Sequence, residues 1–262
     1  MPDFIKIARL AQAVYHDASY FDNAPIVAGF RDYQVIESGG VYALCALSND
    51  MPHATVVFRG TDIAWDDWSA NLKCSAKVLH VSGGRVHRGF MDELTSVWAN
   101  IETLLFQWSK WCDREMRVDF VGHSKGGALA TLAAVSWHVS PLPGRLGRLI
   151  TFGAPRVGDS SFVAACDRHL IYAHTWRFAN AGDPVPITPS YWRGFTHHCE
   201  PYYFDCSGGL HAPGEAMCVF RMWESLGARM WAAFKHNPLT LRHHSMAKYA
   251  ELIERHLEGP KI

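Results

Sequence analysis

Val118-Asp119-Phe120-Val121-Gly122-His123-Ser124-Lys125-Gly126-Gly127-Ala128-Leu129-Ala130 starts as an apolar run, gathers three glycines around one serine and one lysine, and continues as small residues. Read physically, it is a strand that turns sharply into a helix. Glycines two residues to either side of Ser124 remove the Cβ atoms that would collide where strand and helix approach each other. A serine at such a turn sits in strained backbone geometry. The helix that follows aims its first N–H groups at the place where an oxyanion would form. Gly122 to Gly126 fits G-x-S-x-G, the turn that exposes a nucleophilic serine when a strand precedes it and a helix follows.

Working outward, period-two or continuously apolar segments predict strands near 33–37, 41–47, 54–59, 117–121, 148–153, 172–178 and 199–205. Helical patterns fall near 4–16, 89–112, 125–138 and 159–168. From residue 54 onward strands alternate with helices, which predicts an α/β fold with a mostly parallel sheet covered on both faces. Ser38-Gly39-Gly40 predicts an antiparallel hairpin ahead of it. No linker interrupts the 262 residues, so the expectation is one domain over 1–262. Functional residues in such a sheet belong on the loops leaving the carboxyl ends of its strands.

Composition narrows the partners. With 48% hydrophobic and 19% charged residues and no low-complexity run, the chain reads as folded. Lys+Arg and Asp+Glu both total 25, so no global field recruits nucleic acid, which drops out as a partner. The first residues, MPDFIKIARLAQAVYHDASYFD, read as an amphipathic helix without the apolar core and cleavage site of a signal peptide. The seven cysteines are odd in number and lack CxxC pairs, which suits reduced thiols. Together these lead to an expectation of a cytoplasmic location, with leaderless export left open.

A serine alone is a poor nucleophile, so a histidine must take its proton and a carboxylate must orient that histidine. Asp183, in Asn180-Ala181-Gly182-Asp183-Pro184-Val185-Pro186, follows the strand ending at Phe178 and is favoured as the carboxylate over a plain Asx-turn role. Among fifteen histidines, His243 and His244 precede the final amphipathic helix and complete the order Ser, Asp, His. Spacing alone does not choose between them.

These segments resemble the class 3 lipases, an α/β-hydrolase family of triacylglycerol lipases and related esterases. The similarity runs from about Tyr15 to Tyr249. It rests on Thr55 to Asp62 (TVVFRGTD), Asp67 to Leu72 (DWSANL), Val86 to Phe90 (VHRGF), Gly122 to Gly127, Thr151 to Gly158 (TFGAPRVG) and Asn180 to Pro186, in that order. The resemblance implies an α/β-hydrolase fold with Ser124 as nucleophile, Asp183 as orienting carboxylate and His244 as base, chosen because Ser245, Met246 and Tyr249 follow it in the family's pattern. It implies Thr61 and the backbone N–H of Lys125 as oxyanion donors, and it requires no cofactor and no metal. The implied activity is that of a serine carboxylester hydrolase acting on lipid esters, acylglycerols first and phospholipid acyl bonds second. The alternative is a catalytically silent member that binds a lipid or a protein. Oligomeric state is not implied.

The family carries a lid after the Thr61 position, and here the segment 62–80 holds Trp65 and Trp68 among acidic residues, suited to covering an acyl groove and turning its indoles toward a lipid interface. Residues 215–236 place Val219, Phe220, Trp223, Met230 and Trp231 at helical spacing, as an interfacial helix, a pocket wall, a partner face or simple core packing. Lysine at 125 stands where the family more often has an apolar residue. Its side chain is read as pointing into solvent, with attraction of a phosphate or carboxylate as the alternative. His197, His198, Cys199, Cys206 and His211 carry metal-capable groups, but their spacing is not a zinc pattern.

Overall fold

The computed structural model describes residues 3–22, 24–61, 84–169, 171–215 and 242–257, together with the backbone of 76–79. The proposed lid, with Trp65 and Trp68, lies outside the described residues except for that backbone, and the apolar segment lies outside them from residue 216 onward.

Along the chain the elements are α1 (Phe4–Ala13), β1 (Phe30–Ser38), β2 (Val41–Ser48), β3 (His53–Phe58), β4 (Ala76–Leu79), β5 (Gly84–His87), α2 (Arg88–Ser109), β6 (Arg117–His123), α3 (Lys125–His138), β7 (Arg145–Phe152) and β8 (Gly158–Asp159). They continue with α4 (Ser160–Arg168), β9 (Thr175–Asn180), β10 (Phe195–Thr196), β11 (Tyr202–Phe204), β12 (Leu210–His211) and α5 (Met246–Leu257). The main sheet has the order β1-β2-β3-β6-β7-β9-β11-β12 among the described residues. Its centre, β3 through β11, is parallel, and antiparallel pairs flank it on both sides. The hairpin at Gly39 and Gly40 has φ of 58° and 77°, the left-handed pair that a two-residue turn between twisted strands requires.

Strand alternation explains the two cores. Along β2, Val41, Ala43, Cys45 and Leu47 face one cluster while Tyr42 and Leu44 face the other, because successive side chains leave a strand on opposite sides. The first cluster is closed by α2 through Leu94, Val97, Ile101, Leu105 and Trp108, a stripe at three- and four-residue spacing. The buried helix α3 lies in the same layer, small and apolar on every side. On the opposite face α1 and α5 close the second cluster with Ile7, Leu10, Tyr249, Leu252 and Ile253.

Two features depart from the sequence reading. Residues 171–174 form a 3-10 turn, so β9 starts only at Thr175. A second sheet, β10-β8-β5-β4, is antiparallel throughout. Its strands are two to four residues long, too short for a period-two pattern.

Candidate active site

Ser124 caps α3 at the carboxyl end of β6, with φ of 57° and ψ of −129°. It is the one non-glycine residue with positive φ among the described residues, a conformation that costs about 1–3 kcal/mol and persists only where the surroundings enforce it. The enforcement is visible. A methyl group on Gly122 would strike the Gly126 carbonyl, and one on Gly126 would strike the Phe58 carbonyl, so strand and helix meet only because neither residue has a side chain. The Ser124 N–H donates to the Phe152 carbonyl at 2.9 Å, tying the turn to β7.

The three residues proposed for catalysis come together from separate loops. His244 Nε2 lies 2.7 Å from Ser124 Oγ, and His244 Nδ1 lies 2.9 and 3.0 Å from the two carboxylate oxygens of Asp183. Asp183 follows the carboxyl end of β9, and its side chain is wholly buried. It is held from two more directions: the Val185 N–H donates to Oδ1 at 2.9 Å and the Tyr249 hydroxyl donates to Oδ2 at 2.7 Å. Burial and the neighbouring carboxylate push the Tyr249 phenol well above its ordinary pKa, so it remains a donor. The Tyr249 hydroxyl oxygen in turn accepts from the Asn180 N–H at 3.0 Å. His243 does not join this chain. Its ring sits over Gly182, where a Cβ would meet it at 3.2 Å, and its carbonyl accepts from Asn180 Nδ2 at 2.9 Å.

Thr61 leaves the end of β3 two residues after Arg59. A Cβ on Gly60 would lie 3.1 Å from the Cβ of Ser124, which brings this loop against the Ser124 turn. The Thr61 hydroxyl oxygen is buried with no hydrogen-bond partner among the described residues. A buried unpaired hydroxyl costs free energy unless something arrives to use it. Lys125 opens α3, where its N–H has no acceptor within the helix.

The Lys125 side chain corrects the expectation of a solvent-facing group. It is only 13% exposed and its Nζ pairs with Glu93 Oε2 of α2 at 2.8 Å. The α2 helix begins beside the carboxyl ends of the parallel strands, which puts an acidic partner within reach of the turn. The metal-capable residues likewise go separate ways: His197 Nε2 lies 2.6 Å from the Pro186 carbonyl, His198 Nε2 lies 3.2 Å from Thr175 Oγ1, and His211 Nε2 lies 2.7 Å from Asp205 Oδ2.

Three supporting residues escaped the sequence reading as parts of the site. Tyr249 and Asn180 were within quoted motifs without a role, and His123 lies inside the serine pentapeptide itself. Their proximity to motif residues was the available signal.

A family model for Lipase (class 3) matches residues 55–192. A secreted mono- and diacylglycerol lipase 1 from Fusarium solani is 30% identical over 167 residues, 63% of this chain and 48% of that protein. A lipase from Rhizomucor miehei is 33% identical over 153 residues, 56% of this chain and 40% of that one. The chain thus spans about half or less of the length of the curated relatives it matches. The solved structure of Rhizomucor miehei triacylglyceride lipase superposes with a TM-score of 0.66 at 24% identity, covering 82% of this chain and 87% of that one, which shows an α/β-hydrolase fold. The expectation of a cytoplasmic location does not stand, because the Fusarium solani relative is named as secreted. An N-terminal stretch read without its relatives was too weak a basis for it.

Proposed function

The chain belongs to the class 3 lipase family, and from that premise we propose that it is a serine carboxylester hydrolase that cleaves acyl esters of lipids outside the cell through an acyl-enzyme intermediate. The observation that carries this reading is the unbroken chain from Ser124 Oγ through the His244 ring to the buried Asp183 carboxylate.

Each step follows from that arrangement. Ser124 Oγ bonds to the ester carbonyl carbon while its proton passes to His244 Nε2, and Asp183 stabilises the imidazolium that results. The carbonyl oxygen becomes an oxyanion, to which the Thr61 hydroxyl and the Lys125 backbone N–H donate. The bond to the alcohol oxygen breaks as His244 returns the proton to it. Water then gives a proton to His244 as its oxygen bonds to the acyl-serine carbon, and the bond to Ser124 Oγ breaks as His244 returns that proton to Oγ, releasing the fatty acid and the free serine. No metal is needed for any of these transfers.

The complete set of groups argues against a silent binding member, which has no use for a strained serine at φ of 57° or a buried threonine hydroxyl that none of the described residues bonds to. The pairing of Lys125 with Glu93 weakens the alternative that its side chain attracts a phosphate. Acylglycerols are therefore the first substrates to assay. Labelling by a fluorophosphonate probe tests the reading: wild type is expected to be labelled at Ser124 and Ser124→Ala to be unlabelled. An unlabelled wild type ends the hydrolase hypothesis. Chromogenic esters of rising acyl length, with a phospholipid carrying separately labelled acyl chains, then define the substrate.

A further inference from the structure

We propose that His123, the residue immediately before the nucleophile, is a positioning residue: as a neutral imidazole it grips the main chain of His244 and so sets the base against Ser124. The inference rests on the hydrolase reading above and deepens it.

His123 Nε2 lies 2.6 Å from the His244 carbonyl oxygen, and its Nδ1 lies 2.6 Å from the Tyr15 hydroxyl. A carbonyl only accepts, so Nε2 carries the proton; Nδ1 then presents a lone pair and the Tyr15 hydroxyl donates to it. One neutral tautomer satisfies both partners. The ring is 5% exposed, packed 4.7 Å from the His244 ring and 6.0 Å from the Tyr249 ring between centroids. Burial first, and then the neighbouring His244, hold its pKa well below the ordinary imidazole range.

The position of His123 on the chain explains why the grip matters. Ser124 and His244 are separated by 120 residues, yet His123 and Ser124 are consecutive at the end of β6. Gripping His244 through His123 references the base to the nucleophile's own strand end instead of to the long chain between them. A second grip acts one residue earlier, where Asn180 at the end of β9 donates to the His243 carbonyl at 2.9 Å. Consecutive carbonyls of the histidine loop thus hang from two strands of one rigid sheet.

Neutrality matters as much as reach. When His244 accepts the serine proton it becomes a cation, and a second cation packed against it would oppose that step. Lysine or arginine at 123 would donate to the same carbonyl and work against the reaction. Neutral histidine donates without the charge.

Two amide substitutions isolate the bond. In His123→Gln the amide nitrogen reaches the place of Nε2 and still donates to the His244 carbonyl. In His123→Asn the shorter amide takes only the place of Nδ1, keeps Tyr15 and no longer donates to the His244 carbonyl. Both are neutral and polar, so folding burdens them alike, and thermal melting checks this. Rates are normalised to the fraction of Ser124 that a fluorophosphonate titrates. The Asn variant is expected to lose about 10- to 100-fold in kcat at unchanged KM, the size of effect that misplacing a catalytic group by a fraction of an ångström to an ångström brings. The Gln variant is expected to stay within about threefold of wild type by the same reasoning. Equal kcat in the two variants, with wild type normally labelled, overturns the positioning role alone. An unlabelled wild type overturns the hydrolase reading and this inference with it.

Discussion

His244 Nε2 lies 2.7 Å from Ser124 Oγ, while the ring of its neighbour His243 packs over Gly182. Adjacent residues that spacing alone does not separate therefore occupy different surroundings. His244→Ala removes the proton acceptor and is expected to lower kcat by about 10⁴-fold or more. His243→Ala keeps the carbonyl that Asn180 holds and is expected to cost less than about tenfold, because the ring packs over Gly182 rather than against Ser124 or Asp183. Steady-state hydrolysis of a soluble ester checks both, and the reverse ranking would move the base to His243.

The Thr61 hydroxyl, proposed as an oxyanion donor, has no hydrogen-bond partner among the described residues. Replacing it with valine keeps the shape and the backbone N–H but deletes the hydroxyl. The expected result is a loss of about 10²–10³ in kcat with little change in KM, the usual effect of removing one oxyanion donor. Stability should change by less than about 1 kcal/mol, since none of the described residues bonds to that hydroxyl. A threefold loss or smaller would remove Thr61 from the oxyanion site.

Lys125 and Glu93 tie the first turns of α3 and α2 together. Lys125→Met is expected to lower stability by about 1–2 kcal/mol, because the pair is largely shielded and Glu93 is left behind. For a chain of this length that is a fall in Tm of roughly 2–8 °C. Rates on diacylglycerol and on phosphatidylcholine should fall together, leaving their ratio unchanged. A tenfold selective loss on the phospholipid would assign the side chain to headgroup recognition after all.

Acid sensitivity follows from buried histidines. Burial, aided by Arg177, brings His198 down to about 3, and His123 and His197 are lowered in the same direction, burial being the largest cause in each. Above about pH 6.5 an unfolded histidine is neutral too, so the native state loses nothing there. As the pH falls from about 6.5 toward 3 the unfolded chain takes a proton at His198 that the native state refuses, and stability drops by about 1.4 kcal/mol per pH unit for that group. Below about 3 the native histidine is protonated as well and this loss stops growing. Urea unfolding at pH 6 and pH 4.5 should therefore show a shallower dependence in His198→Gln than in wild type. Parallel curves would mean that His198 is not held neutral.

Much of the architecture was legible from local pattern. Apolar spacing located β2, β3, β6, α2 and α3 within a few residues, since period two and period 3.6 each bury one face of a short element. Glycines around Ser124 foretold the sharp turn because backbone approach depends on the missing Cβ atoms themselves. Chain order and motif spacing brought Asp183 and His244 into consideration. The paired short strands of the second sheet were missed because two residues hold no period.

By itself the sequence determined which segments alternate, where the strand-to-helix turn with its serine would fall, and which residue types could act there. Only the tertiary structure decided how His244, which the family pattern favours, meets Ser124, that Lys125 pairs with Glu93, and that His123 holds the His244 carbonyl. The reason is physical. Turns and periodicities are set by neighbours along the chain, whereas these contacts join residues 32 to 121 positions apart, and their distances exist only once the sheet order and helix directions are in place.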